Sequence, residues 1–297
     1  MNVAAIDIGS NSVRLLITDR GGLELYREAT ITGLGRGVDS SGCFREDTMS
    51  DTLDVLQRYF GVMNGHSVSR VGAVATSASR DASNGDALMR SIAGVIGTEP
   101  TIISGTDEAG LSFAGATANL RGDPPFLVID IGGGSTEFVY GDAAPSYAVS
   151  IDIGSVRLTE RRLPDRPSSM RQLDEAAAHT DVELSRVQIP GTPGTTVGVA
   201  STFTSLKAIA LGLDAYDRDA VEQSVLTIGD IRAAITALSL LDVAETAAIP
   251  SLDPKRAPVI LAGAVIAERA LARTGVEEIV VSEHDLLDGL AASLLAR

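Results

Sequence analysis

A single cysteine, Cys43, stands among the 297 residues. That count excludes an internal disulfide and any metal site built from several cysteines, and the polar Gly/Ser-rich surroundings mark Cys43 as a loop thiol. Basic residues are scarce as well: 24 Lys and Arg face 39 Asp and Glu, a net charge of −15. Such a balance argues against a general nucleic-acid surface or an acidic-membrane surface, so a polyanion would have to be met by a local basic patch or by metal ions. No apolar run approaches the roughly 18 residues that a bilayer span needs. The sequence begins on a strand pattern without a charged-then-apolar leader, and a cytoplasmic protein is expected.

What is present is a hydrophobic fraction of 44% in a chain longer than one ordinary domain, which predicts two domains with a core each. The most informative stretch is Phe126-Leu-Val-Ile-Asp-Ile-Gly-Gly-Gly-Ser-Thr-Glu137. A short apolar run reaching Asp130, then three glycines, reads as a buried strand ending in a loop whose backbone can approach an anion closely. The amides of Gly132, Gly133 and Gly134 can converge on phosphate oxygens, and Asp130 can hold a divalent metal. A second copy, Ile6-Asp-Ile-Gly-Ser-Asn-Ser-Val-Arg14, has Asp7 for Asp130, Gly9 for Gly132, Ser12 for Ser135 and Arg14 for Glu137, 123 residues earlier. An apolar run resumes after each loop, so each is expected to join two strands in a hairpin, unlike the strand-to-helix loops of Rossmann and P-loop folds. Repetition for packing alone would not require an aspartate and a hydroxyl in both copies.

Along the chain, residues 3–32 read as a β-meander and Glu46 to Met63 as an amphipathic helix. Val71–Ala75 is a strand that delivers the loop Thr76–Asn84, with Arg80, at its carboxyl end, where open α/β sheets place ligands. Thr101–Ile103 is a short strand before a helix with Glu108 in its first turn, where a glutamate also suits the helix dipole. Arg121-Gly-Asp-Pro-Pro125 is the best linker. Ile151–Leu158 mimics a phosphate loop but runs on as a helix. Helices are expected at Gln172–Val187, Phe203–Leu213, Ile228–Leu241 and Ala257–Ala272, and strands at Thr196–Val199 and Val276–Val281. Ser282-Glu-His-Asp285 caps a final helix whose leucines form a docking stripe. Arg36 reads either as a solvated residue or as a phosphate ligand, and His284 as a cap or surface residue.

Together, Asp7–Arg14, Ala75–Ala82, Ser104–Ala109, Asp130–Glu137, Gly154–Leu158 and Ser282–Gly289 resemble, in order, the motifs of the Ppx/GppA family of exopolyphosphatases and guanosine-pentaphosphate phosphohydrolases. The resemblance implies an α/β protein with two ribonuclease-H-like domains of the actin-like/Hsp70/sugar-kinase superfold and a phosphate chain bound in the interdomain cleft. Expected boundaries are 1–121, joined by the terminal helix at 283–297, and 122–282. By similarity Glu108 is the general base. Asp130 and Glu137, with Asp7, hold Mg²⁺, with Mn²⁺ as an alternative, and Glu137 is also a catalytic candidate. Gly9, Ser10, Asn11, Ser12, Gly132, Gly133, Gly134 and Ser135 cradle phosphoryl oxygens, with Arg14 and Arg80 as cationic partners. This agrees with what phosphoryl transfer to water needs: positioning, charge neutralisation and a carboxylate near the nucleophile.

The resemblance further implies a homodimer acting on inorganic polyphosphate or guanosine pentaphosphate. Arg36, Arg157, Lys207 and Arg256 are additional cation candidates. Ser155 stands where many members carry cysteine, and Ser201 where glycine is usual, which bears on nucleotide binding. Without the extra helical domain of longer members, a preference for short chains is expected. The alternatives are a sugar- or acetate-type kinase of the same superfold and a non-catalytic phosphate-binding regulator.

Overall fold

Hydrophobic alternation builds the first sheet. In the computed structural model, which describes residues 1–296, β1 (Asn2–Ile8), β2 (Ser12–Thr18) and β3 (Glu24–Ile31) form an antiparallel meander. Next come α1 (Val38–Ser41), α2 (Glu46–Gly65), β4 (Val68–Ala75), α3 (Ser77–Asp81), α4 (Gly85–Ile96), β5 (Thr101–Ile102) and α5 (Gly105–Thr117). The strand order is β3-β2-β1-β4-β5, with β4 parallel to β1 and β5 parallel to β4. Successive side chains of a strand face opposite sides. Ala4, Ile6, Ile8, Val13, Leu15 and Ile17 accordingly share one core with Leu56, Tyr59, Leu88 and Ile92 of α2 and α4. Ala5, Leu16 and Val74 lie on the other face, which also carries Asp7 and Arg14.

The second sheet repeats this plan. Its elements are β6 (Phe126–Ile131), β7 (Thr136–Gly141), β8 (Pro145–Ile151), α6 (Ser155–Arg162), α7 (Met170–Leu184), β9 (Thr195–Val199), α8 (Ala200–Ala210), α9 (Arg218–Val221), β10 (Val225–Thr227), α10 (Ile228–Ser239) and α11 (Val243–Ala247). A 3₁₀ turn (Pro254–Arg256), α12 (Ile260–Thr274) and β11 (Glu278–Val281) complete it. The order β10-β11-β9-β6-β7-β8 contains the same five-strand pattern, read from β8 to β11, with β10 added antiparallel at the edge. Two copies of a meander followed by parallel strands are the ribonuclease-H-like arrangement, so the repeated sequence motif is also a repeated fold. The largest core, between this sheet and its helices, takes in Phe138, Phe203, Leu206 and the buried face of α12.

The chain forms two compact units, Met1–Gly115 with Asp285–Arg297, and Ala116–His284. The division falls within α5, a few residues before the expected linker at Arg121. The last helix, α13 (Leu286–Leu295), lays Leu286, Leu287, Leu290 and Ala291 on the Ala5, Leu16 and Val74 face of the first sheet. Burial of each such leucine is worth roughly 1.5–3 kcal/mol. Gly72 of β4 makes room for Leu294, whose Cδ1 would stand 2.9 Å from a Cβ there. Among the described residues no helix is long and apolar enough to cross a membrane.

Candidate active site

The two glycine-containing loops are the same turn. Gly9 N donates to Ser12 O and Gly132 N to Ser135 O, both at 3.0 Å. Both loops close antiparallel hairpins, as expected, with Asp7 opposite Arg14 and Asp130 opposite Glu137 in register. The loop carbonyls are held by a following segment in each case. Ser10 O accepts from Gly35 N (2.6 Å), and Asn11 O from Thr32 N and Gly33 N. Gly132 O accepts from Ser155 N (2.9 Å), and Gly133 O from Val156 N and Arg157 N. With the carbonyls committed, the amides of Ser10, Asn11, Gly133 and Gly134 have no acceptor among the described residues, the condition for an anion cradle. Asn11 Nδ2 is likewise buried without a hydrogen-bond partner. The Gly154–Leu158 mimic supports the central loop: the start of α6 spends its amides on loop carbonyls. Gly154 is required because a Cβ would meet the backbone of Gly133 and Gly134.

The charges opposite each other differ between the hairpins. Arg14 gives Nε and Nη2 to Asp7 Oδ2 (2.8 and 2.7 Å) and Nη1 to Asp285. Arg14, expected as a cationic partner of phosphate, thus has all three guanidinium nitrogens on carboxylates. Burial pushes the Asp7 carboxyl above the usual range, against the Arg14 charge and hydrogen bond, and Asp285 adds to the rise. Asp7 Oδ1 is buried and has no hydrogen-bond partner. In the second hairpin both opposed residues are acidic, Asp130 7% and Glu137 1% exposed. Ser150 of β8, opposite Glu137 in register, donates its Oγ to Glu137 Oε1 at 2.6 Å. Ser150 lies in no motif and was not identified from sequence; the only signal would have been a small polar residue across the sheet from Glu137.

Glu108, in the first turn of α5 and largely buried, is ion-paired at 2.9 Å with Arg80, whose Nη1 also donates to Ile103 O. The segment Thr76–Asn84, expected as a loop, contains the short helix α3, which carries Arg80. The proposed base and the proposed phosphate cation are thus direct partners.

The outlying cations serve varied roles. Lys207, expected near substrate, gives its Nζ to Val225 O at 2.7 Å. Arg36 is exposed, beside Gly33, and Arg256 is buried. The strained position after β9 is Ala200, with φ at 63°, one residue before the Ser201 singled out from sequence. Such a left-handed residue costs about 1–2 kcal/mol. Cys43 Sγ lies 2.9 Å from Ser83 Oγ in unit 1.

The model of the Ppx/GppA phosphatase family matches residues 17–297. An exopolyphosphatase 2 of Mycobacterium tuberculosis is 38% identical over 98% of this chain and 98% of its own length. Among solved structures, an exopolyphosphatase-like protein superposes with a TM-score of 0.96 at 35% identity, covering 100% of this chain and 99% of that one. The PPX-GPPA enzyme of Aquifex aeolicus does so with a TM-score of 0.81 at 32% identity, covering 100% and 99%.

Proposed function

This chain belongs to the Ppx/GppA phosphatase family, and we propose that it is an exopolyphosphatase, a phosphoanhydride hydrolase that releases terminal phosphate from inorganic polyphosphate. The observation that carries the reading is the pair of hairpin loops with the same closing hydrogen bond, each with committed carbonyls, open amides and a buried aspartate at the strand end. Phosphoryl oxygens need many fixed donors, and preorganised amides supply them without reorganisation during the reaction. Glu108 takes a proton from the attacking water while Arg80 orients its carboxylate at Nη1. The Nε and Nη2 of Arg80, which have no partner among the described residues, bind a phosphoryl oxygen.

A divalent cation fits the second hairpin. Two carboxylates directly opposite on one sheet face repel, and a cation between Asp130 and Glu137 would relieve that cost. No cluster of three or more His, Cys, Asp or Glu among the described residues could hold a metal alone. Mg²⁺ takes one or two carboxylates and completes its shell with water and phosphate oxygens, so Asp130 and Glu137 would be enough to hold it. Mg²⁺ would neutralise charge on the phosphoryl oxygens. Short chains are the favoured substrates under this proposal, because an exterior at net −15 repels the far end of a long polyanion. Guanosine pentaphosphate is the second substrate to test.

The test measures orthophosphate release from tri-, medium- and long-chain polyphosphate and from guanosine pentaphosphate, beside ATP-dependent phosphorylation of a sugar panel. Release from polyphosphate is expected, with kcat/KM greatest on short chains. Transfer from ATP to a sugar with no release from polyphosphate would refute it in favour of a kinase.

A further inference from the structure

The last helix of the chain reaches the first phosphate loop through one side chain. Asp285, 4% exposed, is the N-cap of α13: its Oδ1 accepts from Leu287 N at 3.0 Å. Its Oδ2 takes Arg14 Nη1, and the remaining two Arg14 nitrogens go to Asp7 Oδ2. One guanidinium therefore serves two buried carboxylates, and Asp7 is held by one oxygen while the other, Oδ1, has no hydrogen-bond partner. In a hairpin with only Asp7 and Arg14 the guanidinium could turn toward a phosphate. Asp285 draws it to α13 instead and fixes Asp7 with it.

The cap itself is separately anchored. Asp288 Oδ2 accepts from Asp285 N at 2.9 Å, and Asp288 Oδ1 takes Arg27 Nη2 of β3. The same end of α13 also meets α5 backbone to backbone. A Cβ on Gly115 would fall on the Asp285 carbonyl, and one on Gly289 would fall on the Leu111 carbonyl. The helix that carries Glu108 and the hairpin that carries Asp7 are thus both braced on the start of α13.

We infer that Asp285 is a positioning residue: acting through Arg14, it holds Asp7 in the first phosphate loop, and α13 is part of the catalytic frame as well as a cover for the sheet. The kinetic part rests on the exopolyphosphatase reading. Two substitutions separate charge from cap. Asp285→Asn keeps a good N-cap but removes the negative charge facing Arg14, and Asp285→Glu keeps the charge but caps poorly. For Asp285→Asn, Tm shifts by less than about 4 °C, and kcat falls about tenfold or more, the usual scale for an indirect orienting partner. Asp285→Glu loses more Tm yet recovers part of kcat. Asp288→Asn removes the charge paired with Arg27 and so loosens the anchor of the cap without touching Arg14, so it lowers Tm and leaves kcat near wild type.

A merely structural role cannot produce that crossing of the Tm and kcat orders, so kcat that follows Tm through all three variants would overturn the inference. If Asp285→Asn does not fold, the other two decide: equal loss of kcat in Asp288→Asn and Asp285→Glu overturns it as well. Wild-type protein that releases no phosphate from polyphosphate defeats the functional reading, not this one. The positioning role is then read from binding of inorganic phosphate by calorimetry, where Asp285→Asn is expected to weaken the wild-type affinity about tenfold and an unchanged affinity would refute it.

Discussion

Adding one methyl group at Gly154 perturbs the central loop most directly. A Cβ there would lie 2.5 Å from Gly134 N, about 0.9 Å inside the 3.4 Å at which ordinary contact begins, and would also press on Gly133 C and O. Every atom it meets is backbone, so no side chain can swing away; either the Gly132–Gly134 loop moves by close to 1 Å or the start of α6 does. The Gly133 carbonyl also accepts from Val156 N and Arg157 N, so those bonds lengthen together. A displacement of that size at a reacting centre costs about 10²-fold, or ~2.7 kcal/mol of transition-state stabilisation, and the overpacking about 1–3 kcal/mol of stability. The counterpart in the first unit, Gly35→Ala, meets Ser10 Cβ at 2.9 Å and Ser10 O at 3.0 Å, about half the overlap, and should lose correspondingly less. Gly94→Ala, with nothing within 4 Å of its Cβ, should gain about 0.5–1 kcal/mol in the helix interior at unchanged activity. Steady-state phosphate release gives kcat/KM and calorimetry gives Tm. Gly154→Ala with wild-type kcat/KM would show that the loop's place is not set by the α6 contact.

Three further outcomes follow from the same geometry. Glu108→Gln keeps the shape and the Arg80 contact but removes the base, so kcat should fall about 10²-fold or more with substrate binding retained; titration of the variant with polyphosphate under calorimetry checks the second half. Ser150→Ala removes the hydroxyl on Glu137 Oε1 and should lower kcat about tenfold, with Ser150→Thr recovering part of it; equal rates in all three proteins would make Ser150 a bystander. For Asp7, burial raises the folded-state carboxyl above its unfolded value near 3.8, so the native state binds the proton more tightly and this group's contribution to stability falls as pH rises from that value through the folded one. Asp7→Asn should therefore be inactive yet gain stability relative to wild type as pH rises from 3 toward neutrality, measured by urea unfolding at several pH values; a difference independent of pH would contradict the burial argument.

Much of this was legible in sequence because the signals were local. The two loops were readable from Asp-Ile-Gly spacing, and the hairpins from apolar runs that resumed at once. The terminal docking helix was readable from its leucine stripe, with Asp285 as its cap. Harder to see were elements without a strong period: β8 with its exposed start and the three-residue edge strand β10. Pairings across the chain were invisible for a physical reason. Arg14 was readable only as a cationic partner for phosphate because Asp285, its second partner, stands 271 residues away, and nothing in the sequence around Glu137 announces Ser150. The left-handed residue after β9 is an alanine, Ala200, and it carried no signal because a positive φ is expected from sequence at glycine.

The measurement that bears most directly on the central claim is hydrolysis of polyphosphate in ¹⁸O-labelled water, followed by mass analysis of both products. Attack by a Glu108-activated water on the terminal phosphoryl group predicts one labelled oxygen in each released orthophosphate, no label in the shortened chain, and loss of the reaction in Glu108→Gln. Label in the residual polymer, internal cleavage fragments, or unlabelled orthophosphate would contradict the account.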